Sequence, residues 1–189
     1  EAYKDFVESK REEYKKEIFN EAVFCQLLPE HYYSSKNGLM WDHEDFLKYP
    51  ERYNANFLPY SLHTDIYIAC HFWDTKSAVF FNKEDALSPD FKISVIADIR
   101  CDINGPIPTT LRATSIEYPY YDVNRLTFKE EKEFSSLDNI TVMAVDNLPC
   151  ELPRDSSIDF GKDIIDKVLP YLIGNDSEKI IEGASITYN

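Results

Sequence analysis

The chain has 189 residues, 43% of them apolar and 29% charged, with a net charge of −14 spread along its length. That length can bury a substantial core, and a charge of this sign repels phosphate backbones, so nucleic acid is not an expected partner. No stretch approaches the ~20 consecutive apolar residues of a membrane span, and the first residues show no basic-then-apolar leader.

Residues Glu1 to about Ala22 are rich in Lys and Glu, with Tyr3, Phe6, Val7, Tyr14, Ile18 and Phe19 at helical spacing, which predicts an amphipathic surface helix. A short apolar run, AVFCQLL, follows as a strand stopped by Pro29, and His31, Tyr32, Tyr33 and Lys36-Asn37-Gly38 read as loop. Trp41 to Tyr60 is aromatic and acidic, and a helix is expected from near Asp42 to before Pro50.

Three segments read as buried strands. Asp65 to Trp73, DIYIACHFW, finishes in Cys70, His71, Phe72 and Trp73. Lys92 to Pro106, KISVIADIRCDINGP, is an apolar run expected to be covered on both faces, as parallel strands are. It ends in Asp98, Asp102, Asn104 and Gly105. Ile140 to Val145, ITVMAV, ends in Asp146-Asn147 and Leu148-Pro149. Between these runs, a helix or turn is expected at Asn82 to Leu87, an extended stretch at LRATSIEYPYYDVN and a surface loop at Arg125 to Asp138. After them a helix is expected from Pro153 to about Ile173 and a final strand in the tail from Lys179. Within that last helix Ile158, Ile165, Val168 and Leu172 form a stripe, Gly161 would allow close packing, Pro170 should bend the last turn and Gly174 should cap it.

If the three strands lie parallel, their polar ends meet at one sheet edge, the place where open α/β sheets bind ligands. The alternative is that Asp98, Asp102 and Asp146 simply cap turns or helices. A dinucleotide site also needs a Gly-rich turn for the pyrophosphate. The five glycines here are all far apart, so that half of such a site is not expected in this sequence. Cys25, Cys70, Cys101 and Cys150 form no C-x-x-C pair; they are read as buried, reduced thiols of a cytoplasmic protein, with no metal site.

The motifs VIADIRCDINGP, RATSIEYPYYD and MAVDNLPCELPRDSSIDFGKDIIDKVLPYL resemble the C-terminal part of the alanine dehydrogenase and transhydrogenase superfamily, above all its lysine–ketoglutarate reductase and saccharopine dehydrogenase branch. The resemblance spans Asp65 to Gly174. It implies an α/β fold: the second half of a Rossmann-like NAD(P)-binding domain over residues 1–150, a partial parallel sheet with flanking helices, then a return helix and tail over 151–189. By the same resemblance Asp102 matches an aspartate beside the nicotinamide, with Asn104-Gly105 standing where alanine dehydrogenases have paired glycines. Asp146, Asn147 and Leu148 match a loop at the nicotinamide end of the cofactor, and the strand end with Cys70, His71 and Trp73 lines the cofactor cleft beside Asp98. No segment matches the N-terminal domain that carries the family's catalytic lysine and histidine. The implied activity is an NAD- or NADP-dependent oxidation or reduction at the C–N bond of an amino acid, with an amino acid and a 2-oxo acid as substrates. The implied partners are the remainder of a parent enzyme and a second copy in a homo-oligomer. The isolated piece is expected to lack turnover. Two rival readings are an alanine dehydrogenase-like enzyme and a degenerate domain kept for binding.

Overall fold

The three apolar runs pair side by side in the computed structural model, which describes residues 7–8, 10–16, 19–71 and 73–186. In chain order the elements of the first part are β1 (Val7–Glu8), α1 (Arg11–Tyr14), β2 (Val23–Phe24), α2 (Pro29–Tyr32), β3 (Tyr33–Ser35), α3 (His43–Lys48), β4 (Tyr53–Ala55), α4 (Leu58–Ser61), β5 (Ile66–Ala69), α5 (Lys83–Leu87), β6 (Val95–Asp98), β7 (Tyr120–Val123), β8 (Glu130–Glu131) and β9 (Ile140–Met143). The second part holds α6 (Pro153–Asp163), a π-helical stretch at Ile164–Val168, α7 (Leu169–Ile173) and α8 (Ile180–Ala184). The chain divides into two compact units, Glu1–Asp146 and Asn147–Asn189.

In the first unit a five-stranded sheet runs β5-β6-β9-β7-β8. β5, β6 and β9 are parallel, with Ile66 opposite Val95 and Val95 opposite Thr141. β7 and β8 add antiparallel strands beyond them, so the sheet is mixed, not purely parallel. Alternation sends Tyr67, Ala69, Ile96, Asp98, Val142 and Tyr121 to one face and Ile66, Ile68, Val95, Ala97, Met143 and Tyr120 to the other. The first face carries the core: Ala69, Ile96, Val142 and Tyr121 are fully or almost fully buried. The second is open at β5, where Ile66 and Ile68 are each 61% exposed, while Asp122 and Thr141 on the same face are buried. On β6, expected to be covered on both faces, Ile96 and Asp98 are buried while Val95 and Ala97 on the second face are half-buried. β5 stands at the sheet's edge, and an apolar run carries no mark of edge position.

The core continues into an aromatic cluster. Tyr32 and Tyr33, expected in a loop, are 6% and 3% exposed. Ring centroids step from Trp41 to Phe46 at 4.9 Å, Phe46 to Tyr33 at 4.8 Å, Tyr33 to Phe80 at 5.6 Å and Phe80 to Phe57 at 5.3 Å. Each ring buries a large apolar area. β3 and β4 form the small antiparallel sheet that holds Tyr33 and Tyr53 in this cluster.

Local signals explain the short helices. The Asp42 side chain accepts a hydrogen bond from the Asp45 amide at 3.0 Å and starts α3, and Pro50 opens a separate turn after it. Asn82 and Asp85 close a reciprocal capping box on α5. Among the described residues the N-terminal stretch is not the one long helix predicted: Val7–Glu8 is a strand, and α1 has four residues, none of them buried. The parts of that prediction on residues 1–6, 9, 17 and 18 lie outside the described residues, as does Phe72.

The stretch from Arg125 to Asp138 is also more than a surface loop. The Arg125 guanidinium donates to the carbonyls of Ala86 (3.0 Å), Phe91 (3.3 Å), Ile93 (2.6 Å) and Asp138 (2.8 Å). On β7, Asp122 is fully buried and accepts from Thr141 Oγ1 at 2.8 Å and from the Ser135 amide at 2.9 Å. Burial alone would raise its pKa, but the hydrogen bonds from Thr141, Ser135 and Asn139 outweigh it and hold the carboxyl below its ordinary value. With the folded pKa below the unfolded one, this network stabilises at neutral pH and its contribution is lost as pH falls through the folded value. Urea unfolding of the wild type and Asp122→Asn, followed from neutral pH to about pH 2, should therefore show the wild-type advantage shrinking in acid. An advantage that does not change with pH would contradict it.

In the second unit the helix from Pro153 is present but is interrupted by the π-helical stretch just before Pro170. The missing N–H and the ring of a mid-helix proline disturb the preceding turn in this way. Gly174 ends α7 as expected. The predicted stripe is not a buried one: Ile158, Ile165 and Leu172 are 56%, 62% and 60% exposed. Gly161 has no atom within packing distance of where a Cβ would stand. The tail is helical where a strand was expected, because the Asp176 carboxylate accepts from the amides of Ile180, Ile181 and Glu182 at 2.7, 3.0 and 3.1 Å and nucleates α8. Residues 187–189 of that prediction lie outside the described residues.

Candidate functional site

The parallel register brings the strand ends level. Ala69 pairs with Asp98, and Ala97 pairs with Met143, so the chain leaves β5, β6 and β9 at one edge. From there Cys70, His71 and Trp73 follow β5, the loop with Arg100, Cys101 and Asp102 follows β6, and Val145 and Asp146 follow β9.

Asp98 is the last residue of β6 and only 2% exposed. Its carboxylate turns inward: Oδ1 accepts from the amides of Arg100 (3.2 Å) and Cys101 (3.3 Å), and Oδ2 accepts from Thr110 Oγ1 at 2.6 Å. Three donors satisfy a charge that would otherwise be costly to bury. Asp98 thereby fixes the loop that follows it, and its side chain is directed into that loop and away from solvent.

Asp102 is the half-exposed carboxylate of the loop and pairs with Arg100 Nε at 3.2 Å. Its place is set by backbone geometry. Cys101 and Asn104 both adopt left-handed conformations, with φ of 56° and 59°, and the Gly105 amide donates to the Asp102 carbonyl at 2.9 Å. A Cβ on Gly105 would lie 2.6 Å from both Asp102 Cβ and Asp102 O, so the turn admits only glycine. We expect Gly105→Ala to cost about 2 kcal/mol and to displace Asp102. Chemical denaturation checks the first effect and loop amide shifts check the second, while wild-type stability in the variant would contradict the turn geometry.

The field at this edge ties the predicted residues together. The Cys101 thiol is pushed up to about 11, first by burial and then by the carboxylates of Asp98, Asp146 and Asp102. His71 is pushed down to about 4, first by burial and then by Arg100, with Asp102 opposing. His71 is therefore neutral near pH 7. Its ring sits 4.4 Å from Phe80 and 6.2 Å from Tyr32, and Tyr67 Oη lies 3.4 Å from its Nδ1. His71, Asp98, Asp102 and Asp146 thus share one neighbourhood. Asn147 and Leu148 belong to the second unit, where Asn147 is exposed and its carbonyl accepts from the Cys150 amide at 3.1 Å.

The cysteines are not the buried group expected. Cys70 and Cys150 are exposed, and Cys25 and Cys101 are half-buried. Among the described residues no cluster of three His, Cys, Asp or Glu side chains could hold a metal, and no helix is long and apolar enough to cross a membrane. Sequence reasoning missed Arg100, Tyr67 and Phe80, the residues that set the surroundings of His71 and Asp102. Tyr67 could have been found, since it stands four residues before His71 on the same strand face.

No protein-family model matches the chain. Individual proteins do. Over 149 residues it is 28% identical to the alpha-aminoadipic semialdehyde synthase of Arabidopsis thaliana, covering 77% of this chain and 14% of that protein. Over 165 residues it is 28% identical to the mitochondrial alpha-aminoadipic semialdehyde synthase of Rattus norvegicus, covering 75% and 17%. The likeness extends to saccharopine dehydrogenases. The saccharopine dehydrogenase (NAD(+), L-lysine-forming) of Neurospora crassa is 29% identical over 109 residues, covering 56% of this chain and 27% of that protein. The chain thus spans about one-sixth of the length of the first two relatives and about a quarter of the third.

Proposed function

We propose that this chain is part of an NAD(P)-dependent oxidoreductase of lysine metabolism that acts at the C–N bond of an amino acid, joining lysine to 2-oxoglutarate as saccharopine or reversing that step. The observation that supports it best is the shared edge of β5, β6 and β9, where His71, Asp98, Asp102 and Asp146 gather. Carboxyl edges of parallel strands are where open α/β sheets take up nucleotides, and the similarity to saccharopine dehydrogenases points the same way.

In this reading the edge forms the wall beside the nicotinamide. The cofactor would supply or accept hydride, and the residues of this chain position it. Asp98 holds the loop, Gly105 places Asp102, and the Asp102 carboxylate orients the substrate amine. Asp146 lies toward the nicotinamide end, and Cys70 lies on the same wall. The pyrophosphate turn and the acid/base pair belong to other parts of the enzyme. The chain should accordingly bind NADH or NADPH without catalysing lysine- and 2-oxoglutarate-dependent NADPH oxidation. Nucleotide fluorescence titration and a spectrophotometric assay check both halves. Absence of binding at millimolar nucleotide, or turnover by this chain alone, would sink the reading.

A further inference from the structure

Two buried hydrogen-bond donors at the end of β5 have no partner. His71 Nε2 and Trp73 Nε1 are both withdrawn from solvent, and neither meets an acceptor among the described residues. Leaving one such group unpaired costs about 1–3 kcal/mol, and native interiors leave few.

The protonation of His71 follows from its neighbour. Tyr67 is deeply buried, which holds its phenol well above the ordinary value, so the hydroxyl keeps its proton. Its described partner is His71 Nδ1 at 3.4 Å. Where that proton is given to Nδ1, the neutral imidazole carries its own on Nε2, leaving Nε2–H as a donor. The Trp73 indole is a donor in any state. His71 and Trp73 stand two residues apart, directly beyond Tyr67 and Ala69, which face the core. The same stretch therefore presents two unpartnered side-chain N–H groups.

We propose that His71 Nε2–H and Trp73 Nε1–H form a small-ligand site that takes a planar oxygen acceptor, a carboxamide or a carboxylate. Such a group offers two lone pairs on each oxygen, matching two donors without adding a donor of its own. The aromatic rings of Phe80 and Tyr32 beside His71 lower the local dielectric and strengthen its bond. The assignment of the ligand's source rests on the proposed function: the carboxamide would come from the nicotinamide and the carboxylate from the 2-oxo acid.

The test uses the full chain, nitrogen-15 labelled, with NADH and 2-oxoglutarate titrated separately. The sequence has two tryptophans, so the Trp41 indole, packed against Phe46 and Tyr53, reports that the core is intact. One of the two probes should shift the Trp73 indole N–H and the His71 Nε2 resonance while Trp41 stays in place. Trp73→Phe should weaken that probe's binding about tenfold. If 2-oxoglutarate shifts them and NADH does not bind, the donor site stands and the cofactor wall falls. If NADH shifts the amides of Asp102 and Asp146 but leaves Trp73 and His71 unmoved, the cofactor wall stands and the donor site is overturned. Saturation by neither probe, or wild-type affinity in Trp73→Phe, also overturns it.

Discussion

Asp98→Ala should lower the unfolding free energy by about 3 kcal/mol and release the loop between β6 and Thr110. The change removes the acceptor of three hydrogen bonds at once, from the Arg100 and Cys101 amides and the Thr110 hydroxyl. Thr110 is 2% exposed, so its hydroxyl cannot turn to water. Asp98→Asn keeps the volume and one acceptor oxygen, and should recover about half of the loss. The loop is also what carries Asp102, so weakened nucleotide binding should accompany the lost stability. Denaturant titrations of the three proteins, with nucleotide binding measured alongside, check both. An alanine variant as stable as the wild type would show that Asp98 does not organise the loop.

Arg125→Ala should be at least as damaging, costing about 3–5 kcal/mol. Four carbonyls lose their donor together, and they come from α5, from the segments leading into β6 and from the turn before β9. The guanidinium also stacks over Phe91, its carbon 5.6 Å from the ring centroid, so packing is lost as well as hydrogen bonding. Burial lowers the Arg125 pKa, with Asp138 opposing, yet an arginine stays charged across the accessible range. The effect should accordingly be independent of pH, in contrast to that of Asp122. Arg125→Lys retains the charge but not the fork of donors, and should recover only a minor part. Equal stability of the lysine variant and the wild type would contradict the anchoring role.

The sheet was legible because its signals are local. Each of the three parallel strands is an apolar run closed by a polar cluster, and that pattern alone predicted which ends would meet. α3 and α5 were marked by their capping residues, Asp42 and Asn82, and by the stops at Pro50 and Pro89. What escaped depends on partners distant in sequence. Arg125 looks like one more charge in a charged stretch, and nothing nearby announces the carbonyls 32 to 39 residues earlier that it binds. Tyr32 reaches Phe80 across the core at 5.0 Å, a contact no spacing rule contains. Asp98 and Asp102 read as equivalent carboxylates, but the side chain of one is spent on its own loop and that of the other stands half-open beside Arg100.

The central claim is that the carboxyl edge of β5, β6 and β9 is where the nucleotide lies. The molecule offers a competing location, a cleft of about 250 Å³ lined by Ala55, Asn56, Leu58, Val79, Phe80 and Asn82, of the smaller size for a ligand pocket. Hydrogen–deuterium exchange with and without NADH separates the two. Slowed exchange at Cys70 to Trp73, at Ile99 to Gly105 and at Val145 and Asp146 is the expected result, while slowing confined to residues 55–59 and 79–82 would contradict the account.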